Sequence, residues 1–230
     1  MKGHLIIKTG NQLTVKCKLY MPADAKVIIE PGARLIVDEG EITSACGDYW
    51  AGIEVWGNSS QFQNSLNQGH LIVRNGGIIE FAQNAVLVGK EGDATKGGGL
   101  VQATNSTFRN NFKNVKYLPY NFYSFTTGNE VLNKGRFLNC EFLWNDDLIG
   151  TSAHSGFDIN HVNGVIISGC TFKDDRTTVT NPHERPFGII SLDAGYKVLV
   201  RNLGSLNSPI HHNYDETNMD VSYFKNLREG

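Results

Sequence analysis

Apolar and polar positions alternate in short runs along this chain, with a period of two and no helical period in any window long enough to test. Leu13-Thr14-Val15-Lys16-Cys17-Lys18-Leu19 puts Leu13, Val15, Cys17 and Leu19 on one face. Val27-Ile28-Ile29-Glu30-Pro31-Gly32, Leu35-Ile36-Val37-Asp38-Glu39-Gly40 and Leu71-Ile72-Val73-Arg74-Asn75-Gly76 each set three apolar residues before a charge and close on glycine. Short β-branched runs of this kind are strands that meet sharp turns, so the chain is expected to be all-β.

One pattern recurs. Asn105-Ser106-Thr107-Phe108-Arg109-Asn110 returns as Asn139-Cys140-Glu141-Phe142, as Gly169-Cys170-Thr171-Phe172-Lys173-Asp174 and as Ser222-Tyr223-Phe224-Lys225-Asn226. Gly77-Ile78-Ile79-Glu80-Phe81 is a looser copy. With the phenylalanines in register, the position two before holds Ile79, Ser106, Cys140, Cys170 and Ser222, and the position one before holds Glu80, Thr107, Glu141, Thr171 and Tyr223. That alternation points each Phe inward. From Phe81 to Phe108, Phe142 and Phe172 the steps are 27, 34 and 30 residues. Val198-Leu199-Val200-Arg201-Asn202 fits the same pattern before Phe224. Self-similarity at this period signals stacked repeats, and one strand signature per period without hairpin turns favours parallel stacking over propeller blades. The expected fold is a right-handed single-stranded parallel β-helix, a solenoid, over residues 1–230 as one domain. Neither terminus reads as a cap. The chain is therefore expected to be a fragment with open ends from a longer polypeptide.

Composition narrows the function classes. The 230 residues are 40% hydrophobic with 25 Gly, 6 Pro and a net charge of −2. That balance and the absence of any Lys/Arg run give no sign of a nucleic-acid partner, and no apolar stretch reaches the length of a membrane span. Met1-Lys2-Gly3-His4 runs straight into the strand-like Leu5-Ile6-Ile7-Lys8, so these residues are not expected to be a signal peptide. Cys17, Cys46, Cys140 and Cys170 lack zinc spacing. Cys140 and Cys170 share a column on successive repeats, read as stacked thiols in preference to a disulfide.

Two blocks carry a family resemblance: Lys26-Val27-Ile28-Ile29-Glu30-Pro31-Gly32-Ala33-Arg34-Leu35-Ile36-Val37, and Ala45-Cys46-Gly47-Asp48-Tyr49-Trp50-Ala51-Gly52-Ile53-Glu54-Val55-Trp56-Gly57. They resemble the start of β-helix regions in large secreted proteins of Bacteroidetes, within the pectate-lyase-like solenoids. The resemblance covers roughly residues 5–115 in detail and the remainder only as repeats. It implies a secreted or cell-surface location and export by the type IX system, although the C-terminal sorting domain that normally directs it is missing here. It says little about chemistry.

Four constellations have chemical potential. Three positions after each Phe stand Asn84, Asn111, Asn145 and Asp175, with Asn110, Asp146, Asp147, Asp174 and Asn226 beside them. Stacking would bring Asp146, Asp147, Asp174 and Asp175 together. Converging carboxylates hold calcium in pectate lyases and suit its six to eight oxygen ligands. The plain Asn on neighbouring repeats favours an asparagine ladder instead. A polysaccharide lyase or glycoside hydrolase acting on an acidic polysaccharide would draw on the same four Asp, with Arg185 or Lys173 as the basic group. β-helix polygalacturonases also carry Gly-His-Gly and Arg-x-Lys; here Gly69-His70 is followed by Leu71, and no Arg-x-Lys occurs. Tyr117, Tyr120 and Tyr123, with Phe122 and Phe125, form either a stacking platform for sugar rings or a loop that buries its own rings. His154, His161, His183, His211 and His212 have no zincin spacing. No complete catalytic set is present. The leading expectation is a non-catalytic extracellular scaffold or adhesin-like module, without cofactor other than possible calcium, whose partner is a polysaccharide or a cell-surface molecule.

Overall fold

The computed structural model describes residues 3–199, 223–225, 227 and 228. The chain is all-β: three parallel sheets of seven strands each, with one two-stranded antiparallel hairpin. Consecutive strands visit the three sheets in rotation. Sheet 1 contains Leu5–Ile7, Lys26–Ile29, Trp50–Val55, Ala82–Val88, Lys113–Tyr117, Ser155–Asn160 and Phe187–Leu192. Sheet 2 contains Gln12–Val15, Arg34–Asp38, His70–Arg74, Leu100–Thr104, Arg136–Leu138, Asn163–Ser168 and Gly195–Leu199. Sheet 3 contains Lys18–Met21, Glu41–Ser44, Ile78–Glu80, Thr107–Arg109, Glu141–Trp144, Thr171–Asp174 and Tyr223–Lys225. Each circuit therefore sits directly on the one before, hydrogen-bonded on three sides.

The repeat is the register. Phe108 pairs with Phe142, Phe142 with Phe172 and Phe172 with Phe224. Their rings stack at centroid distances of 5.2, 4.7 and 4.6 Å, close to the spacing of parallel strands. Below Phe108 the partner is Ile79 and not Phe81. Phe81 is a turn residue with φ +54° whose carbonyl accepts the Trp50 N–H. The copy aligned on Phe81 was thus two residues out of register, because any apolar side chain can fill the inward slot. Similarly, Leu13 to Leu19 is not one strand: Gln12–Val15 and Lys18–Met21 lie in different sheets, and Cys17 at the bend is exposed. Gly150 to His161, which holds no copy of the phenylalanine repeat, contributes the sheet 1 strand Ser155–Asn160. Val200-Arg201-Asn202, His211, His212, Ser222 and Asn226 lie outside the described residues.

Short turns between sheets 2 and 3 use Glu39, Asn75, Asn105 and Asn139, all with φ between +49° and +59°. Asparagine tolerates this left-handed conformation better than most residues. It also allows stacking, with Asn139 Nδ2 donating to Asn105 Oδ1 at 3.0 Å. The longer excursions fall at the other two corners. Residues 56–69, 89–99 and 118–135 emerge between sheets 1 and 2, and residues 145–154 and 175–186 between sheets 3 and 1.

Candidate binding surface

The acidic candidates lie at the corner between sheets 3 and 1, and each is bound into the local structure. Trp144 pairs with Asp174, which brings the end of one circuit beside the end of the next. Arg176 Nε and Nη2 grip the two Asp174 carboxylate oxygens at 2.8 Å each, and Arg185 Nη1 approaches at 3.2 Å. Both Asp174 and Arg176 are buried. Arg176 also donates to the carbonyls of Thr151 and Glu184, tying together the loops 145–154 and 175–186. Asp146 accepts from the Thr177 N–H and hydroxyl at 2.8 and 2.7 Å, which holds its carboxyl below the usual range. Asp175 pairs with Lys173 at 2.6 Å, and Asp147 is exposed.

These four carboxylates do not form a shared calcium cage. Two guanidinium groups face Asp174 where a calcium ion would have to sit, and cations repel. Among the described residues no three His, Cys, Asp or Glu side chains converge to hold a metal. Arg185 also donates to the carbonyls of Asp174 and Val179, and a guanidinium so engaged is a poor base at any ordinary pH. The cleft beside them measures about 140 Å³, small against the roughly 300–1,000 Å³ of a typical ligand pocket. The asparagines stack instead: Asn110 Nδ2 donates to Asn145 Oδ1 at 2.7 Å, and Asn145 N–H returns a bond of 2.9 Å to Asn110 Oδ1.

The aromatic candidates divide. Tyr117 aligns with Val88 and Ile159 on the inner face of sheet 1 and is fully buried. Burial pushes its phenol far up. Tyr120 is buried too; its hydroxyl donates to the Gln61 carbonyl at 2.7 Å, and burial raises its pKa to about 12. Neither ring can stack on a ligand, so the three tyrosines do not share one exposed platform. Tyr123 alone of the three is exposed, on the hairpin Phe122–Tyr123 with Glu130–Val131.

In their place the corner between sheets 1 and 2 builds a different aromatic surface. Phe62 packs on Phe122 at 6.3 Å, and Phe125 meets Phe122 edge-on at 5.5 Å. Phe122 is the buried base; Phe62 is 45% exposed and Phe125 91%. Leu66, at 83%, lies on the Phe62 loop. Buried Gln63 stitches the three excursions together: its amide donates to the Gly98 and Gly99 carbonyls at 3.1 Å and its oxygen accepts the Lys134 N–H at 2.6 Å. Gly98, at φ +91°, lets the Tyr120 ring close in, since a Cβ there would lie 2.5 Å from it. Fixed loops on a rigid stack are where a binding surface is expected. Phe62 and Gln63 were missed in the sequence because neither belongs to a repeat, and their partners are far away along the chain.

The sequence also hid a carboxylate pair. Glu41 and Glu80 meet on the outer face of sheet 3 with Lys18 2.6 Å from Glu41 and Thr43 donating to Glu80 at 2.7 Å; Arg109 completes the cluster through Glu80. Burial and the neighbouring Glu41 raise Glu80. Hydrolases separate their two carboxyls by at least about 5 Å, whereas this pair is in hydrogen-bond contact and saturated by cations. On the outer face of sheet 1 a shallow groove of about 340 Å³ runs past Tyr49, Glu54, Gln83 and Asn84. Its Glu54 is committed to Lys26 at 2.6 Å and to the Trp56 indole at 2.7 Å. Cys140 and Cys170 stack as buried thiols, with the Cys140 N–H donating to Cys170 Sγ at 3.5 Å. His154 and His161 hydrogen-bond their sequence neighbours, and His183 is exposed.

The fold and this corner define a class: an all-β protein of three parallel seven-stranded sheets that carries an aromatic ridge on rigidly tied loops. No protein-family model, curated protein or solved structure matches the chain. Among the described residues no helix is long and apolar enough to cross a membrane.

Proposed function

We propose that the chain is a right-handed parallel β-helix acting as a non-catalytic scaffold, an adhesin-like module of a larger exported protein that displays a binding surface at the cell surface. The observation that carries this reading is the bidentate Arg176–Asp174 pair. It turns one of the four candidate carboxylates of the sequence into a buried strut between two loops. Resemblance to secreted β-helix proteins supports the location, and the uninterrupted seven-strand sheets support a load-carrying role.

The test is incubation with polygalacturonate and with neutral polysaccharides, with and without calcium chloride, following unsaturated products by absorbance and new reducing ends chemically. Neither should form, and calcium titration by calorimetry should give no heat. Product that disappears in Asp174→Asn would overturn the scaffold in favour of a lyase or hydrolase.

A further inference from the structure

Resting on that scaffold reading, we propose that the ridge between sheets 1 and 2 binds a neutral polysaccharide. The first argument is charge. Residues 57–69 and 117–129, which supply Phe62, Leu66, Phe122 and Phe125, contain no Asp, Glu, Lys, Arg or His, in a chain that is 19% charged. A surface for an acidic glycan, a nucleic acid or an anionic membrane would carry cations. This one carries amides, hydroxyls and rings, and the charges flanking it at the same corner, Lys90, Lys96 and Lys134 against Glu91, Asp93 and Glu130, cancel in sign, so its electrostatic complement is an uncharged ligand.

The second argument is chemistry. A pyranose ring presents an apolar C–H face and a rim of hydroxyls. Aromatic faces, negative at the centre, attract such C–H groups, while amide and hydroxyl side chains both donate to and accept from sugar hydroxyls. Phe125 and Phe62 offer exposed rings over the buried Phe122 base. Exposed Asn58, Ser60, Gln61, Thr126 and Thr127 supply polar groups on the same two segments. The third argument is shape. Phe62, Leu66 and Phe125 are separate exposed side chains, so one sugar would gain few contacts and a chain crossing them would gain several. Gln63 holds the loops in place beforehand, which lowers the ordering cost of binding.

The test is affinity electrophoresis in native gels containing soluble β-glucan, xylan or galactomannan, with polygalacturonate as the acidic comparison. The wild-type chain should be retarded by at least one neutral polysaccharide, indifferently to salt, because no charge is screened. Phe125→Ala, at an almost fully exposed position, should weaken retardation at an unchanged melting temperature, and Phe62→Ala with Phe125→Ala should weaken it by about tenfold. Tyr20→Ala, an exposed ring on sheet 3, should leave it unchanged. The proposal is overturned by mobility unaltered in every neutral gel, by equal retardation of all variants, or by salt-sensitive retardation in polygalacturonate alone. A concentration-dependent dimer that the double variant abolishes would assign the ridge to a second copy of this chain and overturn it too. Failure of the scaffold reading looks different: new reducing ends, whether or not the ridge binds.

Discussion

At the scale of single residues, position in a column decides what a side chain does. Tyr117 has a ring suited to sugar stacking, yet it occupies an inward slot between Val88 and Ile159 and is buried to its hydroxyl. That hydroxyl has no hydrogen-bond partner among the described residues. A buried unpaired hydroxyl costs on the order of 1–3 kcal/mol. Tyr117→Phe is therefore expected to melt at the same temperature as the wild type or higher; a clear loss of stability would reveal a bond to that oxygen. Gly52 shows the opposite constraint: at φ +110°, an added Cβ would lie 1.6 Å from the Asn84 carbonyl oxygen of the next circuit. The glycine in Trp50-x-Gly52-Ile53 is thus a packing requirement between rungs.

At the scale of the strand, each element is stable only through the rungs above and below it. The sheet 3 strands of three or four residues are too short to persist alone, but their inward phenylalanines form one stack from Phe108 to Phe224. Phe142 touches Phe108 and Phe172 in the stack and Phe137 and Phe157 from the other two sheets. Phe142→Ala should cost about 3–5 kcal/mol, read as a lower denaturant midpoint, and hydrogen exchange should quicken first in the rungs on either side. Unchanged melting would contradict the stack. The sequence showed this column from Phe108 onward, because aromatic residues recur there with polar neighbours. It misplaced the rung below, where Ile79 fills the slot and Phe81 makes the turn.

At the scale of the molecule, three phenols, two buried and one half-buried, link stability to alkaline pH. Burial raises Tyr49 and Tyr120 from the ordinary 10.0 to about 12, and Tyr117 further. Unfolded tyrosines release their protons near 10.0 while the folded ones keep theirs, so the unfolded state binds fewer protons across that window. Stability is then fully present below pH 10 and falls as pH rises from there towards 12. Denaturant titrations should show a midpoint that drops over this range, with phenolate absorbance of these three appearing together with unfolding. Absorbance that completes near pH 10 in the folded protein would show the phenols to be accessible.

The sequence by itself determined the all-β class, the parallel stacking and the column of inward phenylalanines. Alternation and repeat length are local properties, and a period-two pattern has only one way to bury its apolar face. The sequence pointed to stacked asparagines after the phenylalanines, of which Asn110 and Asn145 bond each other, and did not name the left-handed turns at Asn75, Asn105 and Asn139. Only the tertiary structure decided which side chains share a surface. Asp146, Asp147, Asp174 and Asp175 read as a cluster because they are neighbours in sequence and register, but Arg176 and Arg185 reach Asp174 first. Phe122 and Phe125 were legible as one aromatic segment with the tyrosines, but Phe62 and Gln63 belong to no repeat, and the four became one ridge only because three excursions leave the stack at the same corner. Contacts between loops depend on where each circuit ends in space, which no periodicity records.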